Sequence, residues 1–201
     1  MIPLISHKTV TESDQIAEIS TYQGAMSFHI YAMGFLEIAQ VAARAALDNR
    51  TAIDAITPSI IYSIRHATEL FLKHIIMEFN ESHGVAAVKP DKNGVRLPAK
   101  IGVHGLMTLW RTHNETVVEA LDYEADHDMH VNFDREAWLH EFVWIIDQLH
   151  EIDSDGCTLR YPTDRYGTPN LDGKMAVSVA QLERFANQTA KCFFSFSERL
   201  S

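Results

Sequence analysis

The chain has few of the residues that interrupt helices or form disulfide bonds. Its 201 residues include six prolines, nine glycines and only two cysteines, Cys157 and Cys192. Because these cysteines form no C-x-x-C motif, we expect two reduced thiols in a cytoplasmic protein. No run of about 18 uncharged apolar residues occurs, so no transmembrane helix is expected. The first residues lack a basic segment followed by a long apolar core, so no signal peptide is expected either.

Motifs of common cofactor and catalytic sites are also missing. The chain contains no G-x-G-x-x-G, no P-loop, no G-x-S-x-G and no H-E-x-x-H. Rossmann, kinase, hydrolase and zincin functions therefore lack support, and no cofactor is expected. Residues 126–130, Asp-His-Asp-Met-His, could supply metal ligands, but structural zinc usually needs thiolates or a more ordered ligand set. We therefore expect no metal.

Positive charge is scarce. Lys and Arg number 17 against 27 Asp and Glu, which gives a net charge of −10. Residues 122–155 hold eleven acidic residues and one basic residue, Arg135, and so carry the whole imbalance. A broad phosphate-binding surface needs clustered Lys and Arg and is not expected, whereas a small basic pocket is compatible with this composition. The acidic segment is either solvated helix faces and loops or a surface for a basic partner or a cation.

Long helical periods dominate the chain and predict a single all-α domain over residues 1–201. Five helices are expected, at about 13–48, 51–81, 104–121, 134–152 and 178–196. Asp134 is the expected N-cap of the fourth helix. Capping boxes are expected at Thr51 with Asp54 and at Ser178 with Gln181. Two loops of about 20 residues, 82–102 and 154–174, are long enough to suggest a functional role.

Apolar residues recur at helical spacing in every predicted helix. The second helix carries the widest stripe: Ile60, Ile61, Ile64, Ala67, Thr68, Phe71, Ile75 and Phe79. The fourth carries Trp138, Phe142, Ile145, Ile146 and Leu149. The apolar positions of the first include Ile16, Ile19, Phe28, Tyr31, Phe35, Ile38 and Val41.

A row of ionisable residues interrupts the apolar second helix. Arg65, Glu69 and Lys73 are spaced i, i+4, i+8, with His66 beside them. If the row is exposed, it is an ordinary solvated stripe whose ion pairs contribute tenths of a kcal/mol each. If another segment covers it, the charges need buried partners and the row becomes a polar site. The apolar character of much of this helix favours partial burial.

Three segments, in this order, resemble HEPN-type domains (higher eukaryotes and prokaryotes nucleotide-binding). Residues 62–73, YSIRHATELFLK, resemble the R-H-A-x-E-x-x-L-K-like helix of that family. Residues 104–110, HGLMTLW, are similar to the H-[GD]-L-x-x-L element that follows it. The loop LRYPTDRYG, residues 159–167, is similar to the R-Y-P-x-D loop of uncharacterised bacterial members. The resemblance covers roughly residues 55–170.

The resemblance implies a HEPN-like bundle that usually forms a homodimer. It also implies a protein of a bacterial defence or toxin–antitoxin system that acts on RNA or binds nucleotides. Two alternatives stay open. One is a non-catalytic interaction module whose acidic face binds a basic partner. The other is a nucleotide or small-molecule sensor built on Arg65, His66, Glu69 and the loop that carries Arg160.

Catalytic HEPN members carry an R-x(4–6)-H motif near the start of a late helix. Here Arg135 and His140 match that spacing directly after Asp134. The resemblance implies that His140 would take the 2′-OH proton of an RNA and that Arg135 would stabilise the phosphorane charge. The chain departs from the family pattern at Glu136, where active members often carry Asn, Asp or His. Any such reaction would be metal-independent.

The expected binding residues lie on all three resembling segments. They are Arg65, His66, Glu69, Lys73, His104, Arg160 and Tyr161. An Arg beside a Tyr in a loop can hold a phosphate and stack on a base. Alternatively, Tyr161 anchors the loop in the bundle while Arg160 pairs with Asp153 or Asp155. If Arg160 instead folds back toward Arg65, His66 and Glu69, the motifs share one pocket.

Overall fold

Five α-helices form the described part of the chain, in the order expected from the sequence. The computed structural model describes residues 25–48, 52–83, 102–127, 133–170 and 176–197. The helices are α1 (Ala25–Leu47), α2 (Ile53–Ser82), α3 (Leu106–His127), α4 (Arg135–Ile152) and α5 (Val179–Ser197). No β-strand occurs within these ranges, where the only pairing is an isolated bridge between Thr163 and Pro169. The predicted all-α helical bundle is therefore confirmed.

Helix α2 lies at the centre of the bundle and packs against each of the other four helices. Its predicted apolar stripe is buried from Ile60 to Ile75, with Phe79 partly buried. Phe71 stacks on Phe193 of α5 with ring centroids 4.0 Å apart and meets Phe142 of α4 edge-on. These aromatic contacts join α2, α4 and α5 in one core.

The helix ends match the predictions where a side chain caps them. Asp134 accepts a hydrogen bond from the Ala137 amide, and α4 ends at Ile152 as expected. Ser178 accepts from the Gln181 amide at the start of α5. The capping box predicted for α2 is wrong, because its N-cap is Ala52, without a side-chain hydrogen bond. Asp54 instead lies in the first turn, where a carboxylate favours the helix dipole.

Helix α1 buries its small residues and exposes several large ones. Its fully buried positions include Leu36 and the alanines at 32, 39, 43 and 46. Tyr31, Ile38 and Val41 are 55%, 60% and 65% exposed. The alanine face packs along α2 and α5, so the helical spacing of the large residues does not mark the buried side.

Helix α1 also bears on the expected absence of a transmembrane segment. Its segment Met26–Leu47 is long and apolar enough to cross a membrane by length and composition, with 28% of that window buried. The sequence predicted no transmembrane segment, because charged residues interrupt its apolar runs before they reach about 18 residues. In the structure, this segment is a helix of the bundle. Residues 13–24, the loop 84–101 and residues 171–175 lie outside the described part of the chain.

Candidate functional site

The charged row of α2 is buried, and Arg65 is its centre. Arg65 is 1% exposed and donates to acceptors from three parts of the chain. Its Nη1 donates to Glu69 Oε2 at 3.1 Å, its Nε to the Asp153 carbonyl at 3.0 Å and its Nη2 to the His104 carbonyl. The row is thus a polar site and not a solvated stripe.

Glu69 is the shared acceptor of the site. Its Oε1 accepts from Lys73 Nζ at 2.7 Å and from His104 Nδ1 at 2.9 Å, while Oε2 accepts from Arg65. Burial raises the pKa of Glu69. The Lys73 charge and the hydrogen bonds from Lys73 and His104 outweigh it, so the pKa lies below its ordinary value. Glu69 is therefore an ionised carboxylate that only accepts hydrogen bonds.

Asp153 completes the network, with partners other than the one expected from the sequence. Its Oδ1 accepts from the amides of Gly156 and Thr158, and its Oδ2 lies 3.7 Å from Arg65 Nε. The predicted alternative that Arg160 pairs with Asp153 or Asp155 is wrong, because among the described residues the ion pair of Asp153 is with Arg65 and none joins Arg160 to either carboxylate. Two carboxylates, Glu69 and Asp153, balance the charges of Arg65 and Lys73. We call these four residues with His104 the α2 network.

His104 is the exposed member of the α2 network. Its side chain is 72% exposed although its Nδ1 bonds to the buried Glu69. Because a carboxylate cannot donate, Nδ1 carries a proton in this contact. The neutral imidazole then has its lone pair on Nε2. The network therefore holds the ring with one nitrogen on Glu69 and the rest of the ring open to solvent.

His66 lies beside the α2 network and not within it. Its ring meets Phe35 of α1 edge-on at 4.6 Å and stacks on Tyr62 at 5.7 Å. Burial lowers the pKa of His66, which favours its neutral form. Arg65 and His66 are adjacent in the chain and therefore about 100° apart around α2, so that Arg65 joins the ionic network while His66 packs against aromatic rings.

Arg160 turns back toward α2 and lies over Tyr62, whereas the sequence alternative placed it against Arg65, His66 and Glu69. Its guanidinium lies 5.7 Å from the ring centroids of both Tyr62 and Tyr161, within cation–π range. Arg160 and Tyr161 are both exposed. Tyr62 was not among the predicted site residues, although it lies four residues before His66. That i, i+4 spacing places Tyr62 and His66 on one side of α2, and it was the signal in the sequence that could have identified Tyr62.

The loop after Asp153 has its own internal bonds. Asp164 Oδ1 accepts from the amides of Tyr166 and Thr168, and the Asn170 side chain donates to the Tyr161 carbonyl at 2.7 Å. Arg165 lies 4.7 Å from the Tyr166 ring centroid. Every residue from 160 to 169 is exposed. The loop is thus an ordered turn whose arginines and tyrosines face solvent.

Arg135 and His140 do not form one site within the chain. Arg135 pairs with Asp122 of α3. His140 is exposed and lines a separate groove along α4 with Trp144 and Asp147. The two residues are five positions apart, which is about 140° around a helix. A joint site would need a second copy of the chain.

Several carboxylates of the acidic segment have structural partners. Asp122 pairs with Arg135, Asp134 caps α4, and Asp153 belongs to the α2 network. The side chains of residues 123–132 lie outside the described part, and with them the predicted Asp–His stretch. Within the described residues, no three His, Cys, Asp or Glu side chains group as a metal site would require.

Comparisons with protein-family models, with curated proteins and with solved structures find no match to this chain.

Proposed function

We propose that the chain is a cytoplasmic HEPN-like protein of a bacterial defence or toxin–antitoxin type system, and that it binds RNA or nucleotides along one face of α2. One observation carries this proposal. Two of the three segments that resemble the HEPN family meet where Arg65 donates to the His104 carbonyl, and the third reaches the first through Arg160, whose guanidinium lies 5.7 Å from the Tyr62 ring centroid. Segments that resemble one family in order therefore also share one place in the fold.

The exposed groups around this place suit a nucleotide. Arg160 supplies a positive charge for a phosphate, and the exposed Tyr161 beside it supplies a ring on which a base can stack. His104 bonds to Glu69, and Arg160 lies over Tyr62. Because Tyr62 and Glu69 are seven residues apart, about two turns or 10 Å along α2, His104 and Arg160 lie on the same face of this helix. The site is local, which is compatible with the acidic charge of the whole chain.

Binding of a labelled single-stranded RNA 12-mer, followed by fluorescence anisotropy, tests this proposal. The double variant Arg160→Ala/Tyr161→Ala should weaken binding about tenfold or more, because a charge contact and a stacking platform are both removed. Arg184→Ala on α5 is the matched control, since it removes an exposed arginine elsewhere. Equal losses in both variants, or none in the double variant, would contradict the proposed site.

Ribonuclease activity at Arg135 and His140 is a separate part of the proposal. It needs two chains to bring these residues together and the release of Arg135 from Asp122. A nuclease and growth-toxicity assay of Arg135→Ala/His140→Ala tests it. Loss of activity in a variant that keeps RNA binding would support catalysis there, and unchanged activity would eliminate it.

A homodimer is the assembly that we propose. The supporting feature is the exposed apolar face of α1 that contains Tyr31, Ile38 and Val41. Large apolar residues grouped on one helix face favour burial against another surface. Light scattering should give twice the chain mass for the wild type and a monomer for Ile38→Asp. A wild-type monomer at micromolar concentration would contradict this assembly.

A second candidate function, docking of a basic protein, has its own observation. A groove of about 450 Å³ along α4 combines half-buried Leu139 and Val143 and exposed Trp144 with the carboxylates of Glu136 and Asp147. An apolar strip between acidic residues fits a basic amphipathic helix.

A helical peptide of Lys and Leu tests this docking, and it should bind the wild type more tightly than the Trp144→Ala variant. A scrambled peptide of equal charge is the control, and equal binding of both peptides would reject docking.

A further inference from the structure

Glu69 and the start of α3 are each held by other contacts besides the hydrogen bond between Glu69 and His104. The backbone of His104 is already held by Arg65, which bonds to its carbonyl. Glu69 already has two cationic donors, Arg65 and Lys73. The imidazole is thus not required to anchor the start of α3 or to neutralise the carboxylate. Its effect is to orient the ring of a side chain that is 72% exposed.

That orientation determines what His104 can recognise. When the ring is neutral, an Nδ1–H directed to Glu69 leaves Nε2 as a hydrogen-bond acceptor. An acceptor selects a ligand group that can donate, such as a hydroxyl. Among nucleic acids, the 2′-hydroxyl of ribose is the donor that distinguishes RNA from DNA.

We infer that His104, held by Glu69, is a specificity residue that accepts a hydrogen bond from a ribose 2′-hydroxyl, so that the α2 face prefers RNA to DNA. This inference rests on the proposed nucleotide-binding function and adds the class of nucleic acid. Arg160 and Tyr161 contact groups that RNA and DNA share, phosphate and base faces. Discrimination of the sugar therefore falls to His104.

The test compares three labelled 12-mers of one sequence: RNA, DNA and 2′-O-methyl RNA, which lacks the hydroxyl donor. The wild type should bind RNA about five- to tenfold more tightly than the other two, the effect of one hydrogen bond. His104→Ala should bind all three with the affinity that the wild type has for DNA. Equal wild-type affinity for RNA and DNA, or a preference retained in His104→Ala, overturns the inference.

Two further measurements separate recognition from a structural effect. His104→Gln, whose amide can reach the position of Nε2, should recover part of the RNA preference, whereas a merely structural role predicts no recovery. Nitrogen-15 NMR of the folded wild type should find the neutral His104 ring protonated at Nδ1, and a ring protonated at Nε2 overturns the inference. If none of the three oligomers binds, the proposed function itself is wrong and the inference falls with it.

Discussion

Gly156 packs against the guanidinium of Arg65. A Cβ built on Gly156 would lie 2.8 Å from Nη1 and 2.9 Å from Cζ of Arg65, and the residue has a φ of +82°. Only a residue without a side chain fits both conditions. The loop after α4 thus covers a buried charge with its backbone, and Asp153 holds it there through the Gly156 amide.

Gly156→Ala should lower the free energy of unfolding by about 2–4 kcal/mol, because it combines a strained φ with displacement of a buried cation. Gly167→Ala is the matched control. Gly167 has a φ of +84°, and a Cβ added there would meet nothing within 4 Å, so only the conformational cost of about 1 kcal/mol applies. Urea unfolding measures both, and equal losses would contradict the packing role of Gly156.

Glu69→Gln should destabilise the fold by about 3 kcal/mol or more at pH 7, because it leaves Arg65 and Lys73 with a weakened buried partner. The pKa of Glu69 is lower in the folded than in the unfolded chain. Its stabilisation is therefore complete above the unfolded value of about 4.3 and is lost as the pH falls through the folded value.

The difference between wild type and Glu69→Gln should accordingly narrow in urea unfolding experiments below about pH 4. Glu119→Gln, at an exposed position of α3, should change stability by less than about 0.5 kcal/mol. A difference that stays constant down to pH 3 would show that Glu69 is not the titrating group.

The burial of His29 should make the stability of the fold depend on pH in a range different from that of Glu69. Its ring lies 4.9 Å from that of His74, between α1 and α2, and its Nδ1 is buried without a hydrogen-bond partner. Burial lowers the pKa of His29, so the unfolded chain binds a proton first as the pH falls below about 6.5. Stability should then decline with falling pH until the folded value is reached.

The melting temperature measured from pH 7.5 to 5 tests the role of His29. His29→Phe should flatten the decline, because it removes the titrating group and keeps an aromatic ring in place. His66, whose pKa burial also lowers, should leave a residual slope. A full wild-type slope in His29→Phe would rule out this origin.

The alanine face of α1 should tolerate little change. Ala39 is fully buried, so Ala39→Leu should cost about 1–3 kcal/mol through overpacking. Val41→Leu, on the exposed face of the same helix, should stay within about 0.5 kcal/mol. Guanidinium unfolding compares them, and a tolerated leucine at position 39 would contradict close packing of α1 against its neighbours.

The parts of the fold that the sequence predicted best are those with strong local signals. Helix α4 has a side-chain cap at Asp134 and five core residues at helical spacing, and both its limits were predicted correctly. Helix α1 lacks such a signal on its buried side, because the alanines that pack there are less hydrophobic than the large apolar residues on its exposed side. Its exposed Ile38 and Val41 therefore looked like core residues.

The site was predictable only in part for a similar reason. The i, i+4 spacing located Arg65, Glu69 and Lys73, but their burial depends on which distant segment covers them. Asp153 and Gly156 are 88 and 91 positions from Arg65 in the chain, and no local pattern pairs them. Spacing on one helix reveals which residues share a face, whereas tertiary packing decides what that face contacts.

The reach of Arg65 also has a consequence for how the chain folds. Its acceptors outside α2 lie 39 and 88 residues away. An intermediate that encloses the Arg65 cation before both carbonyl acceptors are in place leaves a buried charge without hydrogen-bond partners. Such partly assembled intermediates are therefore unfavourable. The chain should therefore close around Arg65 in one late cooperative step. The amides of Gly156 and Thr158, which Asp153 holds, should then exchange hydrogen only in the same opening event that exposes α2.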